Sequence, residues 1–145
     1  MSGIGDLRDH MEIRIYYEDT DCGGVVYYAN YLRYFERART EFLESRGLSV
    51  RTLMDEDTMF VVVRAELSYQ SPARYGDTLL VETTISEITA ASFWINHVVR
   101  DKSDGHVVVT GSARLAVTGK NGKVKRLDKS IFTALDSRVK GTADG

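Results

Sequence analysis

One cysteine, Cys22, stands among 145 residues, so no internal disulfide can form and a reducing compartment suits the chain. Proline is as scarce, Pro72 alone, and no Ser/Gly/Pro-rich linker, repeat or long like-charge run divides the sequence. A single domain over 1–145 is therefore expected, with an ordered core over about 12–136. Long apolar runs are missing too: the longest, MFVVV at 59–63, falls far short of the ~18 residues that cross a bilayer. The opening MSGIGDLRDH has no basic start followed by an apolar stretch, so neither a secretory signal nor a transit peptide is expected and the cytoplasm is the default location. There is no basic excess, 19 Lys and Arg against 21 Asp and Glu, which argues against nucleic acid as a partner. The three histidines, His10, His97 and His106, are scattered without metal-ligand spacing, so neither a metal nor another cofactor is expected.

What is present is enough apolar content, 43% of residues, for a real core. Residues 11–18, MEIRIYYE, alternate apolar with polar and predict a half-buried strand. A turn-rich loop follows, and from about 29 to 46 the period becomes helical. Tyr31, Phe35, Ala38, Phe42 and Leu43 share one stripe, and Gly47 supplies the stop. Ser49 is placed to cap a short second helix through Asp55. Four strands are predicted over 58–71, 77–89, 91–102 and 106–118, separated by turn chemistry at 72–76, near Ala90 and at 102–105, with another turn at 120–123. Connections this short predict antiparallel pairing of successive strands. Leu79, Val81 and Ile85, then Phe93, Ile95, His97 and Val99, then Val107, Val109, Ala113 and Leu115 share the face turned to the core. Residues 130–136 add a helical turn or two, and 137–145 read as a frayed tail. The order of strand, long helix and four strands predicts an α+β domain whose sheet wraps its apolar face around one central helix. An open sheet edge invites a second copy, so a symmetric dimer is expected.

Chemistry concentrates at 16–30, where carboxylates, glycines and tyrosines lead into the long helix. A helix N-terminus presents unpaired N–H groups and partial positive charge, which can hold a carbonyl oxygen as it becomes anionic. A loop carboxylate beside it would activate water or attack the carbonyl itself. The competing reading has Asp19, Thr20 and Asp21 forming Asx-type turns or capping the helix.

The stretch YYEDTDCGGVVYYANYLRYFERARTEFL closely resembles the signature of the 4-hydroxybenzoyl-CoA thioesterase-like family, and within it the acyl-CoA thioesterases associated with the Tol-Pal system. The likeness extends over about 12–135 and includes YQSPARYGDTL. It implies a hotdog fold, which is the wrapped-helix order derived above. It also implies roles. The second aspartate of D-x-D-x-x-G-x-V, the nucleophile or general base, falls on Asp21. The backbone N–H that polarises the thioester carbonyl falls on Tyr28, and Tyr17 matches a tyrosine beside the site. Gly24 and Val25, in the same turn, would approach the acyl group. The Tol-Pal-associated branch usually has His where this chain has Tyr28; backbone donation survives that change, whereas an imidazole's help in activating water does not.

Rival residues have plainer roles. Cys22 is a candidate thiol nucleophile, but no His adjoins it. Glu36 is a second candidate base on the helix, although it and Glu41 suit surface pairs with Arg33, Arg37 or Arg39. Phe93, Trp94, Tyr31, Tyr34 and Tyr69 suit the core or a dimer seam. Arg64, Arg74 and the group Lys120, Lys123, Lys125 and Arg126 are candidates for CoA phosphates. The expected activity is hydrolysis of a thioester of CoA, or of acyl-carrier protein, by a dimer or tetramer, with a peripheral link to the Tol-Pal system. The alternatives are a noncatalytic acyl-CoA-binding or scaffold protein of a cell-envelope complex, and a hydratase, which would need a His that the loop lacks.

Overall fold

In the computed structural model, which describes residues 10–136, the elements follow the expected order. They are β1 (His10–Arg14), a 3-10 turn (Tyr17–Asp19), α1 (Ala29–Ser45), α2 (Val50–Asp55), β2 (Met59–Tyr69), β3 (Thr78–Ser86), β4 (Ser92–Asp101), β5 (Val107–Thr118) and α3 (Lys129–Leu135). The tail at 137–145 lies outside the described residues.

Helix α1 forms where the apolar stripe predicts it, and Tyr31, Phe35, Ala38, Phe42 and Leu43 are all buried. It stops at Gly47, φ +80°, where the Leu48 N–H reaches the Leu43 carbonyl at 2.8 Å and the Gly47 N–H reaches Glu44 at 3.0 Å, a Schellman ending. Ser49 caps α2 through the Thr52 N–H at 3.1 Å, and Asp128 caps α3 through Ile131 at 3.0 Å.

The five strands form one antiparallel sheet, ordered β1-β3-β4-β5-β2. Successive pairing holds for β3-β4 and β4-β5 but fails for β2 and β3. Strand β2 pairs β5 at one edge, and residues 70–77 cross to β3 near the other. The crossing begins where the Gln70 and Ser71 N–H groups bond the Val108 carbonyl, at 2.8 and 3.1 Å, and it then passes the start of α1. Strand β1 also ends earlier than expected, because Asp19 accepts the Tyr16 N–H and bends the chain into the 3-10 turn.

The sheet curls around α1 in the hotdog arrangement. The first half of α1 packs Tyr31, Tyr34 and Phe35 against Leu79, Val81 and Val99. The second half joins Phe42 and Leu43 to Phe93, Ile95 and Leu115, closed by Leu53 and Leu135. Each such side chain contributes about 1.5–3 kcal/mol on burial. Helix α1 sits towards β1 and β3 and leaves β2 largely uncovered. That offset opens a seam between α1 and β2.

Candidate active site

Asp19 and Asp21 stand two residues apart and do different things. Asp19 is buried; its Oδ2 accepts the Tyr16 N–H at 2.8 Å, and its carbonyl accepts from Asn30 Nδ2 at 2.8 Å and from the Tyr27 N–H at 3.1 Å. Burial, and next the Asp19 carboxylate, push the Tyr34 phenol above its ordinary pKa, although the hydroxyl makes no well-formed hydrogen bond. The first aspartate thus ties the loop to α1.

Asp21 is exposed in the single chain. Its Oδ1 accepts the Gly23 N–H at 2.8 Å in an Asx turn, and its carbonyl accepts the Gly24 N–H at 3.0 Å. Gly24 sits at φ +80°, which glycine adopts without steric cost. The turn anchors one carboxylate oxygen and leaves Oδ2 without a hydrogen bond among the described residues.

Helix α1 begins behind this turn. Tyr28 is already helical, φ −53° and ψ −39°, and no side chain caps the end. The Asn30 and Tyr31 N–H groups bond back to Tyr27 and Tyr28 at 2.9 and 3.2 Å. Those of Tyr28 and Ala29 make no hydrogen bond among the described residues. Uncapped N–H groups at the positive end of a helix can stabilise a developing oxyanion.

The crossing segment forms the other wall. The Val26 N–H bonds Ala73 at 2.8 Å, and Val25 bridges Arg74. Tyr17 stands edge-on to Tyr75, centroids 6.2 Å apart, and the Tyr28 ring tilts against Tyr69 at 4.6 Å. A cleft of ≈310 Å³ lies here, lined by Val25, Tyr28, Tyr31, Tyr69, Ser71 and Pro72 among others. Tyr17, Gly24, Val25, Tyr28 and Arg74 therefore gather around the loop, while Asp21 borders the cleft through its turn and does not line it.

Arg64 stands apart. It alternates with Ala65 and Leu67, which face the α1 side, and its Nε meets Glu66 Oε2 at 2.8 Å. In the basic group, Lys125 Nζ bonds the Asp57 carbonyl at 2.9 Å and braces the α2–β2 turn. The surface pairs expected of Glu36 and Glu41 do not form among the described residues; Arg33 instead donates to Asn30 Oδ1 at 2.8 Å. Cys22 is free and exposed. His97 is buried, its Nδ1 3.0 Å from Thr83 Oγ1, and burial followed by the Arg39 cation lowers its pKa to about 3. Among the described residues, no group of three or more His, Cys, Asp or Glu is placed to hold a metal ion, and no helix is long and apolar enough to cross a membrane. Ser71 and Pro72 were not among the candidate site residues, although both fall within the YQSPARYGDTL stretch that carries the resemblance.

The acyl-CoA thioesterase YbgC of Haemophilus influenzae is 48% identical over 81 residues, 55% of this chain and 60% of that protein. The match thus spans less than two thirds of that relative. A putative esterase of Aquifex aeolicus is 32% identical over 122 residues, 84% of this chain and 93% of that protein. Among solved structures, a 1,4-dihydroxy-2-naphthoyl-CoA thioesterase from Synechocystis has a TM-score of 0.80 at 26% identity, over 87% of this chain and 93% of that one. Residues 16–135, nearly the whole described fold, match the sequence model of the thioesterase-like superfamily, and the chain belongs to that superfamily.

Proposed function

We propose that the chain hydrolyses acyl-CoA thioesters to a free acid and CoA. The observation that carries this reading is the pairing of a turn-anchored carboxylate, Asp21, with the uncapped Tyr28 and Ala29 N–H groups of α1. The carbonyl oxygen would lie against these amides, which stabilise the negative charge that grows on it. Asp21 would either attack the carbonyl carbon, giving an anhydride that water then opens, or take a proton from the attacking water. In both routes the C–S bond breaks and a thiolate leaves, which needs no strong general acid. Support comes from the superfamily match and from relatives named as acyl-CoA thioesterases.

The proposed enzyme works as a dimer, or as a dimer of dimers. Strand β2 lies at the sheet edge with Val61, Val62 and Val63 exposed, and pairing it with a second copy would continue the sheet and cover the seam. Cover over Asp21 would strengthen its electrostatics by excluding water. Delivery of the acyl group on acyl-carrier protein and a peripheral link to the Tol-Pal system extend the same reading; the loop's resemblance to the Tol-Pal-associated branch supports the second. Incubation with acyl-CoAs and measurement of free thiol tests the activity. Release from at least one thioester is expected, whereas saturable binding without release would identify a noncatalytic acyl-CoA binder.

A further inference from the structure

The seam between α1 and β2 holds three clefts in succession. The first, at the start of α1, is the ≈310 Å³ cleft walled by Tyr28 and Tyr69. The second, ≈260 Å³, lies one turn further along α1 and is walled by Leu32, Phe35, Val62, Leu67, His97 and Ala113 among others. The third, ≈210 Å³, lies beyond it against α2, with Leu43, Leu48, Leu53, Met54 and Phe60 in its wall. On β2 the same order repeats, Tyr69 at the first, Leu67 and Val62 at the second, Phe60 at the third. The clefts thus lie along one line leading away from the loop that carries Asp21.

Glu36 and Arg39 line both the second and the third cleft. They are three residues apart on one helix face and so project side by side into the seam. Burial works against the Arg39 cation, and the Glu36 carboxylate on the same face works for it. An apolar chain laid over them along the seam would strip water from both charges and offer no polar group in its place. On both sides of this pair the walls are mainly apolar.

We propose that Glu36 and Arg39 form a polar partition that ends the acyl channel at the second cleft and thereby limits acyl-chain length. The proposal rests on the thioesterase reading and adds the residues that set its substrate range. The two turns of helix from Tyr28 to Glu36 span about 12 Å, room for a medium-length acyl chain and too little for a palmitoyl chain. The third cleft is latent volume that the two charged side chains keep out of use.

The test is a chain-length profile of kcat/KM, from butanoyl-CoA to palmitoyl-CoA, for the wild type, Arg39→Met and Arg39→Met/Met54→Trp. Methionine keeps much of the arginine stem and removes the charge. The tryptophan obstructs the third cleft. Expected are a wild-type profile that falls by at least about tenfold from hexanoyl- to dodecanoyl-CoA, a shift of that fall to longer chains in Arg39→Met, and its return in the double variant. An unchanged profile in a folded Arg39→Met, or a wild type that hydrolyses palmitoyl-CoA as well as hexanoyl-CoA, overturns the partition and leaves the hydrolase reading standing. No hydrolysis by the wild type at any length overturns the hydrolase reading and the partition together.

Discussion

The Phe35 ring lies flat on the His97 imidazole, centroids 4.9 Å apart and planes 10° from parallel, above the notch left by Gly111. Gly111 pairs with His97 across β4 and β5, and a Cβ there would collide with Phe35 Cε2. Gly111→Ala should therefore cost about 1–3 kcal/mol through overpacking. Urea denaturation checks this; unaltered stability would mean that Phe35 is free to move.

Acid sensitivity should follow from the same histidine. Its pKa falls from an ordinary 6.5 to about 3, by burial first and Arg39 second. Below pH 6.5 the unfolded chain then binds a proton that the folded chain does not, so stability present above that pH is lost progressively on acidification towards the folded value. Between pH 6.5 and 5 the loss should approach about 2 kcal/mol. His97→Leu should flatten the slope in this window, above the range where carboxylates dominate. An identical slope in that variant would assign the effect elsewhere.

The two loop aspartates should separate in mutagenesis. Asp19→Ala leaves the Tyr16 N–H without its acceptor and should lower stability by about 1–3 kcal/mol, with activity falling as the loop loosens. Asp21→Asn keeps an oxygen for the Gly23 N–H and should leave the thermal midpoint nearly unchanged. Comparable melting losses in both variants would contradict this division of labour.

Assembly should depend on β2. Val63, 54% exposed beside the bulge between Val62 and Arg64, lies on the edge strand proposed to meet a second copy. Val63→Lys should yield a folded monomer with little hydrolysis, since charge on an edge strand discourages pairing. Light scattering of both proteins decides it; a monomeric, fully active wild type would remove the partner from the site.

Local chemistry made much of this legible in the sequence. The stripe from Tyr31 to Leu43, the Gly47 stop and the Ser49 cap each follow from neighbours a few residues away, and each appears in the structure. Strand β2 crossing to the far edge was hidden because a short connection reads as a hairpin wherever its ends lie. Resemblance singled out Asp21 for the chemistry, but the burial of Asp19 and the exposure of Asp21 were not legible, since both are aspartates in a turn-rich segment. The seam was invisible because it arises from the offset of α1 over the sheet, and Arg64 stands apart because it alternates with Ala65 and Leu67 along β2 and meets Glu66 instead.

The most direct measurement is single-turnover and steady-state thiol release by Asp21→Asn with a thioester that the wild type hydrolyses. In Asp21→Asn kcat should fall by about a hundredfold or more with KM little changed, as for a group that acts mainly in the transition state. Wild-type turnover by the folded Asp21→Asn protein would contradict this role.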